Sequence, residues 1–174
     1  MLQKYNRYRI LEKFFDFPRK DFQIREISRM VDLAQISVMN HLKALQKEGL
    51  VMKEKKGIYP TFRADKDNEE FKILKMQNLI WRIYRSGIIS DLDEEIKPDC
   101  IVLFGSSSRG EDTESSDIDL LIQSEEYELP LKKYEDILRR KINLFFEPDI
   151  NKLNKELLNN IINGHVLHGY LKVF

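Results

Sequence analysis

Cysteine is nearly absent from this chain, and tryptophan occurs once among 174 residues. A lone Cys100 excludes an internal disulfide and any multi-cysteine zinc site, and it suits a reducing compartment; it reads as a core residue. No apolar run approaches the roughly 18 to 20 residues that span a bilayer, and the N-terminus alternates charged and apolar residues. Neither a membrane span nor an export signal is visible, so a cytoplasmic protein is expected. Internal repeats and low-complexity tracts are missing as well. So is net charge, with 29 Lys and Arg against 29 Asp and Glu.

That zero hides an asymmetry. Residues 1–64 carry 14 Lys and Arg against 7 Asp and Glu, whereas residues 65–174 carry 15 against 22, so the two parts stand at +7 and −7. A basic part favours a polyanionic partner; an acidic part with a local carboxylate cluster favours metal or simple solubility. Two ordinary solvated surfaces are the plainer alternative. The composition, 42% hydrophobic and 33% charged, is that of a soluble globular protein.

The clearest seam is the polar run from Ala64 to Glu70. It suggests a domain over 1–66, a helical connector over 67–97 and a second domain over 98–174. Upstream of the seam, Tyr8, Leu11, Phe14 and Phe15 recur at helical spacing until Pro18. Ile24, Ile27, Met30 and Val31 form one face of a second helix, Val38, Leu42 and Leu45 the buried stripe of a third, and Gly49 ends it. The period then changes: Leu50 to Lys56 and Ile58 to Arg63 read as two strands joined by a charged turn at Gly57.

With the core stripe removed, Gln35, Ile36, Ser37, Met39, Asn40 and Lys43 point outward from the third helix. Gln35 and Asn40 are suited to adenine edges, and Ile36 and Met39 to thymine methyls or to a partner subunit. Lys53, Lys55, Lys56 and Arg63 on the hairpin could neutralise phosphates, or simply be solvated. Residues 5–64, in particular Phe22 to Ser28 and His41 to Val51, resemble winged helix-turn-helix regulators of the arsenical-repressor and multiple-antibiotic-resistance type. The resemblance implies double-stranded DNA as partner, contacted through Gln35, Ser37, Asn40, Lys43 and the hairpin cations, and a homodimer on paired half-sites. Ala34 and Asn40 depart from the small hydroxyl and basic residues usual there.

Downstream, residues 71–97 read as helix with a break at Gly87, and Cys100 to Phe104 as a buried strand. A second strand (Ile118 to Ile122), a helix near 130–140, a third strand (Ile142 to Phe146) and a last helix from about Lys152 follow. Between the first two strands lies Phe104-Gly105-Ser106-Ser107-Ser108-Arg109-Gly110, then Ser116-Asp117-Ile118-Asp119. Asp117 and Asp119 are two apart at the head of a strand, so both carboxylates leave one face and can share a hard divalent cation, Mg²⁺ or Mn²⁺. Gly105 lets backbone approach backbone, and the serines that follow can open a helix whose free N–H groups face an anion. Ser106 could add its hydroxyl and Arg109 its guanidinium.

This segment resembles the Gly-Ser-x-x-Arg-Gly…Ser-Asp-x-Asp signature of the DNA polymerase β superfamily, specifically its minimal nucleotidyltransferases, over about 86–174. Asn163 to Gly169 is similar to the family's closing segment. The resemblance implies a two-domain chain, a mostly α winged helix followed by an α/β (α+β) domain with a small mixed sheet. It also implies Mg²⁺-dependent transfer of a nucleoside monophosphate from a nucleoside triphosphate to an acceptor hydroxyl. Gly105, Ser106 and Arg109 would bind nucleotide, and Asp117 and Asp119 would hold metal and be catalytic. The family's third carboxylate falls at Asn143 here, and an amide cannot act as a base. Two other readings stay open: a transcription regulator whose nucleotidyltransferase domain only senses nucleotide, and an antitoxin-like partner of a separately encoded protein. His165, His168 and His41 read as packing or surface residues.

Overall fold

The computed structural model describes residues 5–55 and 58–173. Lys56 and Gly57 therefore lie outside the described residues. The chain divides into two compact units between Lys75 and Met76.

In the first unit, α1 (Asn6–Asp16) ends ahead of Pro18, α2 spans Ile24–Val31 and α3 spans Gln35–Lys47. Gly49 after α3 has φ +73°, the left-handed conformation that closes a helix without a Cβ penalty. A three-stranded antiparallel sheet in the order β1-β3-β2 completes the unit: β1 (Phe22–Gln23), β2 (Val51–Glu54) and β3 (Thr61–Ala64). Phe14, Phe22, Ile27, Val38, Leu42 and Leu45 are all but sealed from solvent in one core, closed by Phe71.

Two sequence expectations are corrected here and one element is added. The second hairpin strand starts at Thr61 and not at Ile58, because Pro60 has no N–H to give a ladder; Ile58 and Tyr59 are exposed. Met30 is 40% exposed and does not share the buried face of Ile27 and Val31. The two-residue β1 is an addition that no periodicity announces.

The helix α4 (Glu69–Ser86) is separated from α5 (Ile88–Ile96) by Gly87, whose φ of +86° breaks the helix. The second unit is a mixed four-stranded sheet in the order β6-β5-β4-β7. In it β4 (Cys100–Phe104) is antiparallel to both β5 (Ile118–Ile122) and β7 (His165–Gly169), while β6 (Ile142–Phe146) runs parallel to β5. Alternation along β4 divides it between two cores. Ile101 and Leu103 join Leu79, Ile83, Ile88, Leu92 and the buried Tyr134 and Leu138 of α6 (Lys132–Leu138). Cys100 and Val102 join Leu121, Ile150 and Ile161 beneath α7 (Lys155–Ile162). A strand covered on both faces must be apolar throughout, which is why Cys-Ile-Val-Leu-Phe stands out in the sequence.

The last helix is also corrected. Residues Ile150–Lys152 form one 3₁₀ turn, and α7 begins only after Asn154, whose side-chain oxygen accepts the Leu157 N–H at 2.9 Å. No helix among the described residues is long and apolar enough to cross a membrane.

Candidate active site

The register of β4, β5 and β6 assembles one cluster at the end of the sheet. Phe104 pairs with Asp119, and Asp119 pairs with Asn143, so the end of β4, the head of β5 and the head of β6 meet side by side. Asp117 and Asp119 are half-buried. The Asn143 amide Nδ2 donates to Asp119 Oδ1 at 2.9 Å and to Asp117 Oδ2 at 3.3 Å.

Gly105 follows β4 with φ +74°. A Cβ built there would stand 2.8 Å from Asp119 Oδ2, inside any normal contact distance. The glycine is thus needed twice, for its backbone conformation and to leave the Asp119 carboxylate its place. Two carboxylates with hard oxygen donors, one of them seated in the space a side chain would fill, fit a divalent cation such as Mg²⁺. Among the described residues no group of three or more His, Cys, Asp or Glu side chains comes together as a metal site.

The serine turn differs from its expectation. Only one 3₁₀ turn, Ser107–Arg109, follows Ser106, and two of its serines are structural. Ser107 is fully buried and its hydroxyl donates to the Asp117 carbonyl at 3.1 Å; Ser108 Oγ donates to the Gly105 carbonyl at 2.8 Å. Ser106 remains half-buried beside Gly105. Arg109 is exposed, and its Nε lies 2.9 Å from Glu111 Oε2.

Arg140, which belongs to no motif in the sequence, ties the site together. Its Nε donates to the Ser116 carbonyl at 2.7 Å, Nη1 to Asp112 at 2.5 Å, and Nη2 to both Ser107 Oγ at 3.0 Å and the Asp117 carbonyl at 2.9 Å. One guanidinium therefore fixes the turn after β4 and the backbone that presents Asp117. The only signal in the sequence is the basic run Arg139-Arg140-Lys141 before β6, which does not say which residue turns inward. His165 Nε2 lies 3.0 Å from the Ser108 carbonyl, and His168 lies 3.3 Å from Asp93, so the two histidines serve different neighbours.

On the first unit, Gln35, Asn40 and Lys43 are exposed along α3 and Ser37 is half-buried. Ile36 is 72% exposed and Met39 37% exposed, the outward apolar pair expected there. Lys53 and Lys55 are exposed, Lys56 lies outside the described residues, and Arg63 on β3 pairs with Glu54 at 2.7 Å. Tyr59 sits under the Arg25 guanidinium, 5.3 Å from ring centroid to charge, a contact the sequence did not announce.

Residues 86–170 match the profile of the family described as Polymerase beta, Nucleotidyltransferase. That stretch begins at the end of α4, contains the whole cluster and ends just after β7. No curated protein matches the chain.

Proposed function

We propose that residues 86–170, a polymerase β nucleotidyltransferase domain, transfer a nucleoside monophosphate from a nucleoside triphosphate to an acceptor hydroxyl. In this reading Asp117 and Asp119 hold Mg²⁺ or Mn²⁺, and the turn at Gly105 and Ser106 receives the triphosphate, with Arg109 leaving Glu111 to reach it. The bound ion supplies charge neutralisation to the phosphates. The acceptor oxygen bonds to the α-phosphorus, the bond from that phosphorus to the bridging oxygen breaks, and pyrophosphate leaves. Asn143 has no basic site, so the hydroxyl proton passes to solvent. The observation that carries the proposal is the Asp119 carboxylate, seated where a Cβ on Gly105 would stand and joined to Asp117 through the Asn143 amide.

The N-terminal unit is proposed to be a winged helix that places this chemistry on double-stranded DNA as a homodimer. The outward face of α3 and the basic hairpin support that reading, and a separately encoded protein is one candidate acceptor. A second reading, a nucleotide-sensing regulator, is favoured by one observation: the position beside Asp119 is an amide and not an acid. Incubation of the purified chain with Mg²⁺ and each α-labelled nucleoside triphosphate, with and without cell lysate, tests between them. Label on an acceptor together with released pyrophosphate is expected. Nucleotide binding without either product sinks the transferase reading and leaves the sensor.

A further inference from the structure

The amide of Asn143 stands where a cation shared by two carboxylates would stand. Nδ2 reaches Asp119 Oδ1 at 2.9 Å and Asp117 Oδ2 at 3.3 Å, and the parallel register of β6 on β5 holds Asn143 beside Asp119. Ionised carboxylates only accept hydrogen bonds, so the NH₂ end of the amide is the end that can face them. We propose that Asn143 gates metal entry, an inference that rests on reading Asp117 and Asp119 as the metal ligands. Without nucleotide the amide occupies the two carboxylates and competes with a free divalent ion. With nucleotide, Asp117 and Asp119 would hold one ion carried by the triphosphate, and the Asn143 amide would release them by turning its oxygen inward.

Three physical points support the gate. Two carboxylates carry a formal charge that one divalent ion balances, and no third His, Cys, Asp or Glu joins them among the described residues. A free ion must displace two charge-assisted hydrogen bonds and lose water for only two acid ligands. An ion already on a triphosphate brings further oxygen ligands with it, the way Mg²⁺ is most often held. Rotation of the amide meets little resistance, because Asn143 is exposed on an edge strand and its terminal torsion is broad and nearly two-fold. The site thus holds metal more tightly with triphosphate than without it.

Titration of the full chain with Mn²⁺, followed by the electron paramagnetic resonance of the free ion, tests this. It is run with and without α,β-methylene analogues of ATP, GTP, CTP and UTP. The parent chain is expected to take up Mn²⁺ weakly alone and to hold one ion per chain with the preferred analogue. Asn143→Asp adds a charge and removes the donor, and should bind Mn²⁺ alone at least about tenfold more tightly and a second ion with the analogue. Asn143→Ala removes the donor without adding charge; it should tighten uptake of Mn²⁺ alone and still hold one ion with the analogue. A parent chain that holds two ions with the analogue, or takes up Mn²⁺ alone as tightly as both variants, overturns the gate while leaving the site reading intact. An Asp119→Ala chain that binds Mn²⁺ and analogue as well as the parent overturns the site reading and the gate together.

Discussion

Gly105 and Arg140 govern the site without being able to do chemistry. Gly105→Ala puts a Cβ 2.8 Å from Asp119 Oδ2 and forces an L side chain into φ +74°, which costs about 1 to 2 kcal/mol before any clash. The expected result is a folded protein in which the thermal stabilisation by Mg²⁺ and nucleoside triphosphate is lost; a variant that keeps it in full would show that the Asp119 carboxylate is not a ligand. Arg140→Ala removes one partner of Asp112, whose side chain is 5% exposed, and strips donors from the Ser116 and Asp117 carbonyls. Removing one member of a buried ion pair typically costs about 3 to 5 kcal/mol, which urea unfolding will read; a loss below about 1 kcal/mol would mean that water or the other contacts of Asp112 compensate the change. The two differ in legibility. Gly105 is visible in the sequence because it is adjacent to the motif it serves, whereas Arg140 acts on residues 23 to 33 positions earlier, and no local pattern marks it.

At the scale of elements, what the sequence discloses follows how much surface each element buries. The strands β4 and β5 are legible because they are covered on both sides and so are apolar almost throughout. The strand β7 is not, since His165, Val166 and His168 are half-buried or exposed on an edge of the sheet, and β1 is two residues long. The pairing of α5 with α6 was equally hidden. Asp91 on α5 accepts from Lys133 Nζ at 2.6 Å and from the hydroxyl of the buried Tyr134 on α6. The hydrogen bond from Lys133, then that from Tyr134, hold the Asp91 carboxyl below its usual 3.8, while burial first and the bond to Asp91 second push the Tyr134 hydroxyl up. A carboxyl lowered on folding contributes stability that is present above its unfolded value and is lost as pH falls through its folded value. Asp91→Asn keeps an acceptor for Tyr134 but has no charge to lose. The parent should therefore be the more stable protein at neutral pH, and the difference in melting temperature should shrink below about pH 4. A difference that stays constant through that range would mean the ion pair adds nothing beyond the hydrogen bond.

The whole chain joins two opposite charges, +7 over residues 1–64 and −7 over residues 65–174, and the two proposed ligands respond to different variables because of it. Duplex DNA bound through Lys53, Lys55 and the outward face of α3 releases condensed counterions, so its affinity should fall linearly on a log scale with salt, with a slope near −0.9 per phosphate neutralised. Nucleotide held at Asp117 and Asp119 should depend on divalent metal and stabilise the folded state by mass action. Lys53→Ala with Lys55→Ala should make the salt slope shallower by about 2 while leaving the metal-and-nucleotide stabilisation unchanged. Asp117→Ala with Asp119→Ala should do the reverse. Fluorescence anisotropy on a duplex pool at several salt concentrations and melting curves on the same three preparations, the parent and the two double variants, supply both readings. A slope unmoved by the lysine changes would remove the hairpin from the DNA contact. Loss of DNA binding in the aspartate double variant, folded and at the same salt, would mean that DNA binding is not confined to the N-terminal unit.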